Sequence, residues 1–239
     1  MSRILLVRHA QASFLEPDYD KLSPIGETQA RLLGEYWASR NIAFDRVYSG
    51  PRVRQIDTAK LVANGHKRLG VWFPEPVVMQ EFDEYQGEDV LRRGVPELLQ
   101  KDAGIRDLHA TFLNADTPEE KRRSFQRMFE VVVGGWVDGQ LPLQDIESWP
   151  QFCSRVNCGL SKLTSSSTRG EQVVIFSSGG PIGVAMQRAL NLSSRDRLRM
   201  TWMSRNCSYS EFLSSGGQFT LNTFNAFPHL DDPSLLTYR

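Results

Sequence analysis

The sequence of 239 residues has few cysteines, no excess of charge of either sign and no long apolar run. Its three cysteines show no CxxC spacing, which argues against a disulfide framework or a zinc site, and none begins a Cys-x5-Arg phosphatase loop. The 28 basic residues balance 28 acidic ones, whereas nucleic-acid-binding proteins usually carry a basic excess. No run approaches the ~18 apolar residues of a membrane span, and the N-terminal apolar stretch is too short for a signal peptide. We therefore expect a cytoplasmic protein without a nucleic-acid or membrane partner.

Short apolar runs alternate with helix-like segments along the chain. The predicted strands are Arg3–Val7, Asp45–Ser49, one containing Val77 and Val78, Gln172–Ser177, Cys207–Leu213 and Phe219–Phe224. The predicted helices are Pro24–Arg40, Pro51–Asn64 with Gly65 as its end, one starting at Trp149, and Ile182–Asn191. This alternation predicts an α/β fold, a three-layer sandwich with a central, mostly parallel sheet flanked by helices.

The middle of the chain, at about 86–146, differs in composition because it is rich in charged residues and helix formers. We predict that this segment is a helical insertion that caps one end of the sheet. The whole chain, residues 1–239, is then a single domain that carries this insertion.

Polar clusters follow three of the predicted strands, at Arg8–His9, Ser49–Arg54 and Ser177–Gly180. In parallel sheets, ligands bind beyond the carboxyl ends of the strands. The three clusters should therefore meet at one edge of the sheet, and this convergence predicts a binding site there.

The clusters contain side chains suited to phosphate chemistry. The positive charge of Arg8 favours a neutral His9. Arg52 and Arg54 both lie at a predicted helix start, where anions are attracted, and only one of the two need point inward. The turn at Ser177–Gly180 resembles a backbone cradle for phosphate, although it lacks the spacing and lysine of a P-loop. The alternatives are a structural histidine, solvated arginines and a plain tight turn.

An acidic stretch could supply a proton to a leaving group. It contains Glu81 and Glu84, and its alternative interpretation is a solvated acidic loop. Other charged groups are predicted to lie on the surface: His66, His109 and His229, which lack ligand spacing, and the basic run Arg195, Arg197, Arg199 and Arg205.

Five segments together, in this order, resemble the histidine phosphatase superfamily, also called the phosphoglycerate mutase-like family. They cover nearly the whole chain: LLVRHAQASF is similar to the family's RHG motif, LSPIGETQARLLG to LTxxGxxQA, SGPRVRQIDTA to SSPLxRAxQTA, EFDEYQGE to ExxxGxxEG and VVIFSSGGPIG to VVSHGG.

The resemblance implies a role for each matching residue. His9 aligns with the histidine that takes up the phosphoryl group, and Arg8 and Arg54 align with the arginines that hold the phosphate oxygens. Glu81 aligns with the acid that protonates the leaving group. The second choice for that acid is Glu84. Gln11 and Ser13 could line the pocket, and so could Glu84 if it is not the acid. The family needs no metal, and no cofactor is expected.

The main departure from the family's pattern is Ser178, which stands where a second histidine is expected. That histidine donates a hydrogen bond to the transferring phosphoryl group. A serine hydroxyl can also donate, with help from Ser177 or the Gly179 N–H, but it is shorter and uncharged. Loss of one preorganised donor typically lowers a rate ~10²–10³-fold.

The resemblance implies a metal-independent phosphomonoester hydrolase that acts through a phosphohistidine on His9. Its substrate would be a phosphorylated small molecule or a phosphoprotein. The alternative is a phosphate-recognising binding module with weak or no catalysis, which the substitution at Ser178 favours. A phosphoglycerate mutase is a third candidate, less favoured because a mutase must protect its phosphoenzyme from water.

Overall fold

The computed structural model describes residues 1–13 and 20–238. The chain divides into two compact units, Met1–Glu84 with Ser154–Arg239, and Tyr85–Cys153. The insertion predicted at about 86–146 falls within the second unit. Phe14, the last residue of the RHG-like segment, lies outside the described residues.

The first unit contains a six-stranded mixed sheet. Its strands are β1 (Ser2–Arg8), β2 (Arg46–Ser49), β3 (Val77–Val78), β4 (Gln172–Ser177), β5 (Tyr209–Ser215) and β6 (Gln218–Ala226). The order across the sheet is β3-β2-β4-β1-β5-β6, in which the first four are parallel and the last two run antiparallel. The predicted mostly parallel α/β sheet is confirmed.

Helices cover the sheet because both faces of its central strands are apolar. The helices of this unit are α1 (Pro24–Ser39), α2 (Val53–Arg68), α7 (Gly179–Leu190) and α8 (Ser194–Met203), and α6 (Trp149–Ser166) begins in the other unit. Leu5 and Val7 of β1 pack in one buried cluster with Trp37 of α1. Ile4 and Leu6 are also fully buried, and side chains alternate along a strand, so the opposite face is covered as well.

Helices α1 and α2 approach closely at two glycines. A Cβ atom on Gly34 would lie 2.4 Å from the carbonyl oxygen of Val62, and one on Gly65 would lie 2.8 Å from the carbonyl carbon of Gly34. Gly65 therefore lies inside α2 as a packing residue, and the prediction that it ends this helix is wrong.

The surface placement predicted for several charged groups is also wrong. His66 is fully buried on α2, and His229 is only 6% exposed. Arg197 lies on α8 with 2% exposure, where its guanidinium donates to Gln187. Helix α8 was not among the predicted elements, because its buried residues are Arg197, Leu198 and Thr201, which do not form an apolar pattern.

The second unit is helical, with α3 (Gly87–Lys101), α4 (Ala103–Leu113) and α5 (Pro118–Val137) in mutual contact. Asp102 caps α4 by accepting from Gly104 N, and Thr117 caps α5 by accepting from Glu120 N. No helix within residues 1–13 and 20–238 is both long enough and apolar enough to cross a membrane.

Candidate active site

The three polar clusters meet at one edge of the sheet. Strands β1, β2 and β4 are parallel neighbours, so their carboxyl ends lie side by side. The N–H of His9 donates to Ser177 O at 2.7 Å, and the N–H of Gly50 donates to Phe176 O at 2.9 Å. The backbone itself thus ties the loop after β1 and the loop after β2 to the end of β4.

His9 is buried, and its hydrogen bonds define its tautomer. Its Nδ1 lies 2.8 Å from Ala10 O, and its Nε2 accepts from Nε of Arg54 at 3.2 Å. Because a guanidinium only donates, Nε2 holds the lone pair and Nδ1 carries the proton. Burial, followed by the charges of Arg54 and Arg8, holds the pKa of His9 well below its ordinary value. The ring is therefore neutral at physiological pH, with a nucleophilic Nε2.

Arg54 lies in the first turn of α2 and also binds a carboxylate. Its Nη1 donates to Asp20 Oδ1 at 2.6 Å, while Asp20 Oδ2 accepts from Val53 N at 2.8 Å. Helix N-termini and arginines are the two groups that most often hold phosphate oxygens. The Asp20 carboxylate thus occupies donors that could otherwise hold an anion beside His9.

Arg8 contacts two backbone carbonyls at the same edge. Its guanidinium donates to Ser204 O through Nη1 and to Tyr238 O through Nη2, the latter at 2.7 Å. The segment after α8 is in turn tied to β1, because the Asn206 side chain donates to His9 O at 3.3 Å. The guanidinium is therefore positioned at the site, and its role as a phosphate clamp stays a prediction.

Ser178 is the residue before α7 and is 1% exposed. Its Oγ accepts from Nε2 of Gln55 at 2.7 Å and does not cap its own helix. The neighbouring Ser177 instead donates from its hydroxyl to Phe82 O at 2.8 Å. A Cβ on Gly179 would lie 2.9 Å from Cγ2 of Thr201, so the backbone packs closely at this turn. Helix α7 begins at Gly179, three residues before the predicted start.

The structure separates the two candidate acids. Glu81 forms an ion pair with Nζ of Lys162 on α6, and this hydrogen bond lowers the pKa of Glu81 from its ordinary value. Glu84 accepts instead from the N–H of Gly180 at 3.1 Å, at the N-terminus of α7. Glu84 thus lies at the Ser178–Gly180 turn, whereas the carboxylate of Glu81 is directed to Lys162.

Gln11 and Ser13 connect the loop after β1 to the start of α1. Gln11 Oε1 accepts from the hydroxyl of Ser23 at 2.8 Å, and the N–H of Ser13 donates to Lys21 O at 2.9 Å. Their pocket-lining role stays a prediction.

Two residues of this site, Asp20 and Gln55, escaped the sequence analysis. Gln55 directly follows Arg54 in a segment already singled out, so its position was a usable signal. No comparable signal in the sequence pointed to Asp20, because an aspartate in a polar loop is common. Within residues 1–13 and 20–238, no group of three or more His, Cys, Asp or Glu side chains could hold a metal ion.

Comparison with known proteins connects this geometry to one family. The family model of the histidine phosphatase superfamily (branch 1) matches residues 4–91 and 88–226 of the chain. A comparison with curated protein sequences finds no significant match.

Solved structures of similar fold cover nearly the whole chain. A phosphoglycerate mutase from Bacillus anthracis aligns with a TM-score of 0.63 and 17% identity, over 96% of this chain and 95% of that one. A mycobacterial glucosyl-3-phosphoglycerate phosphatase aligns at 0.60 and 17%, over 94% and 98%. A phosphoserine phosphatase from Entamoeba histolytica aligns at 0.58 and 18%, over 96% and 100%.

Proposed function

We propose, from the premise that the chain belongs to the histidine phosphatase superfamily (branch 1), that it hydrolyses phosphomonoesters through a phosphohistidine on His9. The observation that carries this proposal is the state of His9. The ring is buried, neutral and bonded through Nδ1 to Ala10 O, which leaves the Nε2 lone pair as the nucleophile.

The reaction has two displacements at phosphorus. In the first, His9 Nε2 forms a bond to phosphorus while the ester P–O bond breaks, and the departing oxygen takes a proton from an acid. In the second, a water oxygen attacks phosphorus, its proton goes to that acid's carboxylate, and the bond to Nε2 breaks. Arg54 and Arg8 stabilise the equatorial oxygens once the phosphate has displaced their present partners.

We assign the acid to Glu84 rather than to Glu81, the first choice from the sequence. Glu84 accepts from the N–H of Gly180, in the turn that carries Ser178. Glu81 holds an ion pair and a lowered pKa, so it has no proton to donate near neutral pH. The pairing of Glu81 with Lys162 instead links the loop after β3 to α6.

The substrate class we propose is a small phosphomonoester. The solved structures of similar fold are named for phosphoglycerate, glucosyl-3-phosphoglycerate and phosphoserine, which are all phosphorylated small molecules.

A phosphate-binding module without catalysis is the second candidate. It is favoured by Ser178, a neutral and shorter side chain at the position where the resemblance places a second histidine. In that case the site would bind phosphate and release it unchanged.

Phosphate release from p-nitrophenyl phosphate, with a chelator present, separates the two candidates. The hydrolase predicts turnover by the wild type and loss of at least ~10³-fold in His9→Ala, because no other group can replace the nucleophile. His109→Ala, which removes an imidazole from α4, is the matched control and should retain wild-type turnover. Phosphate binding without turnover would support the binding module, and turnover in His9→Ala would exclude the phosphohistidine route.

A further inference from the structure

We propose that Gln55 is a positioning residue that holds the Ser178 hydroxyl as a hydrogen-bond donor toward the phosphoryl group. This inference rests on the proposed function and concerns the position where the family's second histidine is missing. It explains how a serine can supply the donor that the histidine would have supplied.

The amide of Gln55 is fixed in one orientation. The side chain is fully buried, and its Oε1 accepts from the N–H of Arg52 at 3.1 Å. Since an amide oxygen cannot donate, this bond directs Nε2 to the other side, where it meets Oγ of Ser178 at 2.7 Å. The donor in the Gln55–Ser178 hydrogen bond is therefore the amide, and the serine oxygen is the acceptor.

The hydroxyl proton of Ser178 must consequently point elsewhere. Ser178 does not cap α7 with its side chain, and within residues 1–13 and 20–238 no acceptor takes its proton. A buried hydroxyl in a native protein normally donates to something, so this proton is available for a ligand. Ser177 differs, because its hydroxyl already donates to Phe82 O.

The location of Ser178 makes the phosphoryl group the natural acceptor. The carbonyl of the preceding Ser177 accepts from the N–H of His9 at 2.7 Å, so Ser178 follows directly the residue bonded to the nucleophile. The residue before Gln55 is Arg54, whose Nε contacts His9 Nε2. Two consecutive residues of α2 thus contact His9 and Ser178, one each.

The site also makes space for the amide. A Cβ on Gly50 would lie 2.2 Å from Oε1 of Gln55 and 2.5 Å from Phe82 O, so glycine at this position leaves room for the amide. The family's motifs have serine at position 50, alanine at position 55 and histidine at position 178. Gln55 therefore lies against both of the other departures, Gly50 and Ser178.

Gln55→Glu tests this orientation with almost no change in volume. The introduced carboxylate can still accept from Arg52 N–H, but it must also accept from Ser178, so the hydroxyl turns away from the phosphoryl group. Once protonated, the introduced carboxyl group donates again as the amide did. A buried carboxyl has a raised pKa, so this recovery should begin above the ordinary value of ~4.3.

The expected result is a loss of kcat/KM of about 10²-fold near pH 8, relative to wild type at the same pH. The ratio of variant to wild type should rise as pH falls toward 5. In a Ser178→Ala background, Gln55→Glu should cause a smaller loss and a weaker pH dependence, because only the repulsion between the introduced charge and the phosphate remains. The matched control is Gln218→Glu on exposed β6, which should leave the ratio near one at every pH.

Inorganic phosphate binding, measured by titration calorimetry at pH 8, gives a readout that does not need turnover. If Gln55→Glu acts only through repulsion by its charge, it weakens phosphate binding equally in the wild-type and Ser178→Ala backgrounds. If it acts by turning the Ser178 hydroxyl away, it weakens binding more when the serine is present. Thermal unfolding shows whether Gln55→Glu folds. If it does not, phosphate binding is compared in Gln55→Met with and without Ser178→Ala, which adds no charge. A wild type that binds phosphate with this coupling but does not turn over would refute the hydrolase and support the positioning role. Equal losses in both backgrounds, or a ratio independent of pH, would overturn the inference.

Discussion

At the scale of single residues, the candidate site combines a neutral imidazole with cations that already hold other partners. His9 presents its Nε2 lone pair to Arg54, and Arg54 shares its guanidinium with Asp20. In the proposed function, a substrate phosphate must take the place of the Asp20 carboxylate to reach both groups. The proposal therefore predicts that phosphate affinity depends on a side chain that no family motif singled out.

Asp20→Asn should tighten the binding of inorganic phosphate about tenfold. A hydrogen bond to a charged group contributes roughly 1.5 kcal/mol, and the neutral amide competes less well for Arg54 and Val53 N–H. Titration calorimetry measures this change, with Asp57→Asn as control because Asp57 forms a surface ion pair with exposed Lys60 on α2. Weaker phosphate binding in Asp20→Asn would show that Asp20 positions Arg54 instead of competing with the ligand.

The choice between the two acids is tested by the leaving group. Glu84→Gln should slow the first displacement for an alkyl phosphate by about 10²–10³-fold, because an alkoxide needs a proton to depart. In single-turnover measurements, the first displacement with p-nitrophenyl phosphate should be affected much less, since nitrophenolate leaves unprotonated. Glu81→Gln, which removes the ion pair with Lys162, should leave this selectivity unchanged. The same selective loss in Glu81→Gln would return the acid role to Glu81.

At the scale of elements, sequence signals predicted the helix ends that are set by interactions between neighbouring residues. Ser23 caps α1 through a hydrogen bond from Gly26 N, and Pro24 occupies its first turn, as the sequence indicated. Gly65 was misinterpreted because its role depends on α1, which packs against it from a distant part of the sequence. The contact between Gln55 and Ser178 spans α2 and the start of α7, so no local pattern could show it.

The close crossing of α1 and α2 makes a stability prediction. Gly34→Ala places a Cβ 2.4 Å from Val62 O, so the helices must separate and the free energy of unfolding should fall by about 1–3 kcal/mol. Urea unfolding measures this loss. Gly134→Ala on α5 is the matched control, because nothing lies within 4 Å of its Cβ, and it should raise stability by about 0.5–1 kcal/mol. Equal effects at both glycines would contradict the tight crossing.

At the scale of the whole molecule, the parallel order of β2, β4 and β1 explains why the site forms where it does. Their carboxyl ends bring together residues from near positions 9, 54 and 178, which are far apart in the chain. The motifs and the alternation of elements were enough to predict this fold and the sheet edge at which the three polar clusters meet. Which acid faces the site, and which groups hold the arginines, depend on side-chain contacts between distant segments and could not be predicted from the sequence.

The most direct test of this account is to trap the phosphoenzyme. Wild-type protein mixed with labelled phosphomonoester and quenched in alkaline denaturant should carry label that survives base and is lost in acid, as a phosphohistidine is. Peptide mapping should locate the label on His9, and His9→Ala should carry none. Turnover with no labelled protein, or label on any other residue, would contradict the account.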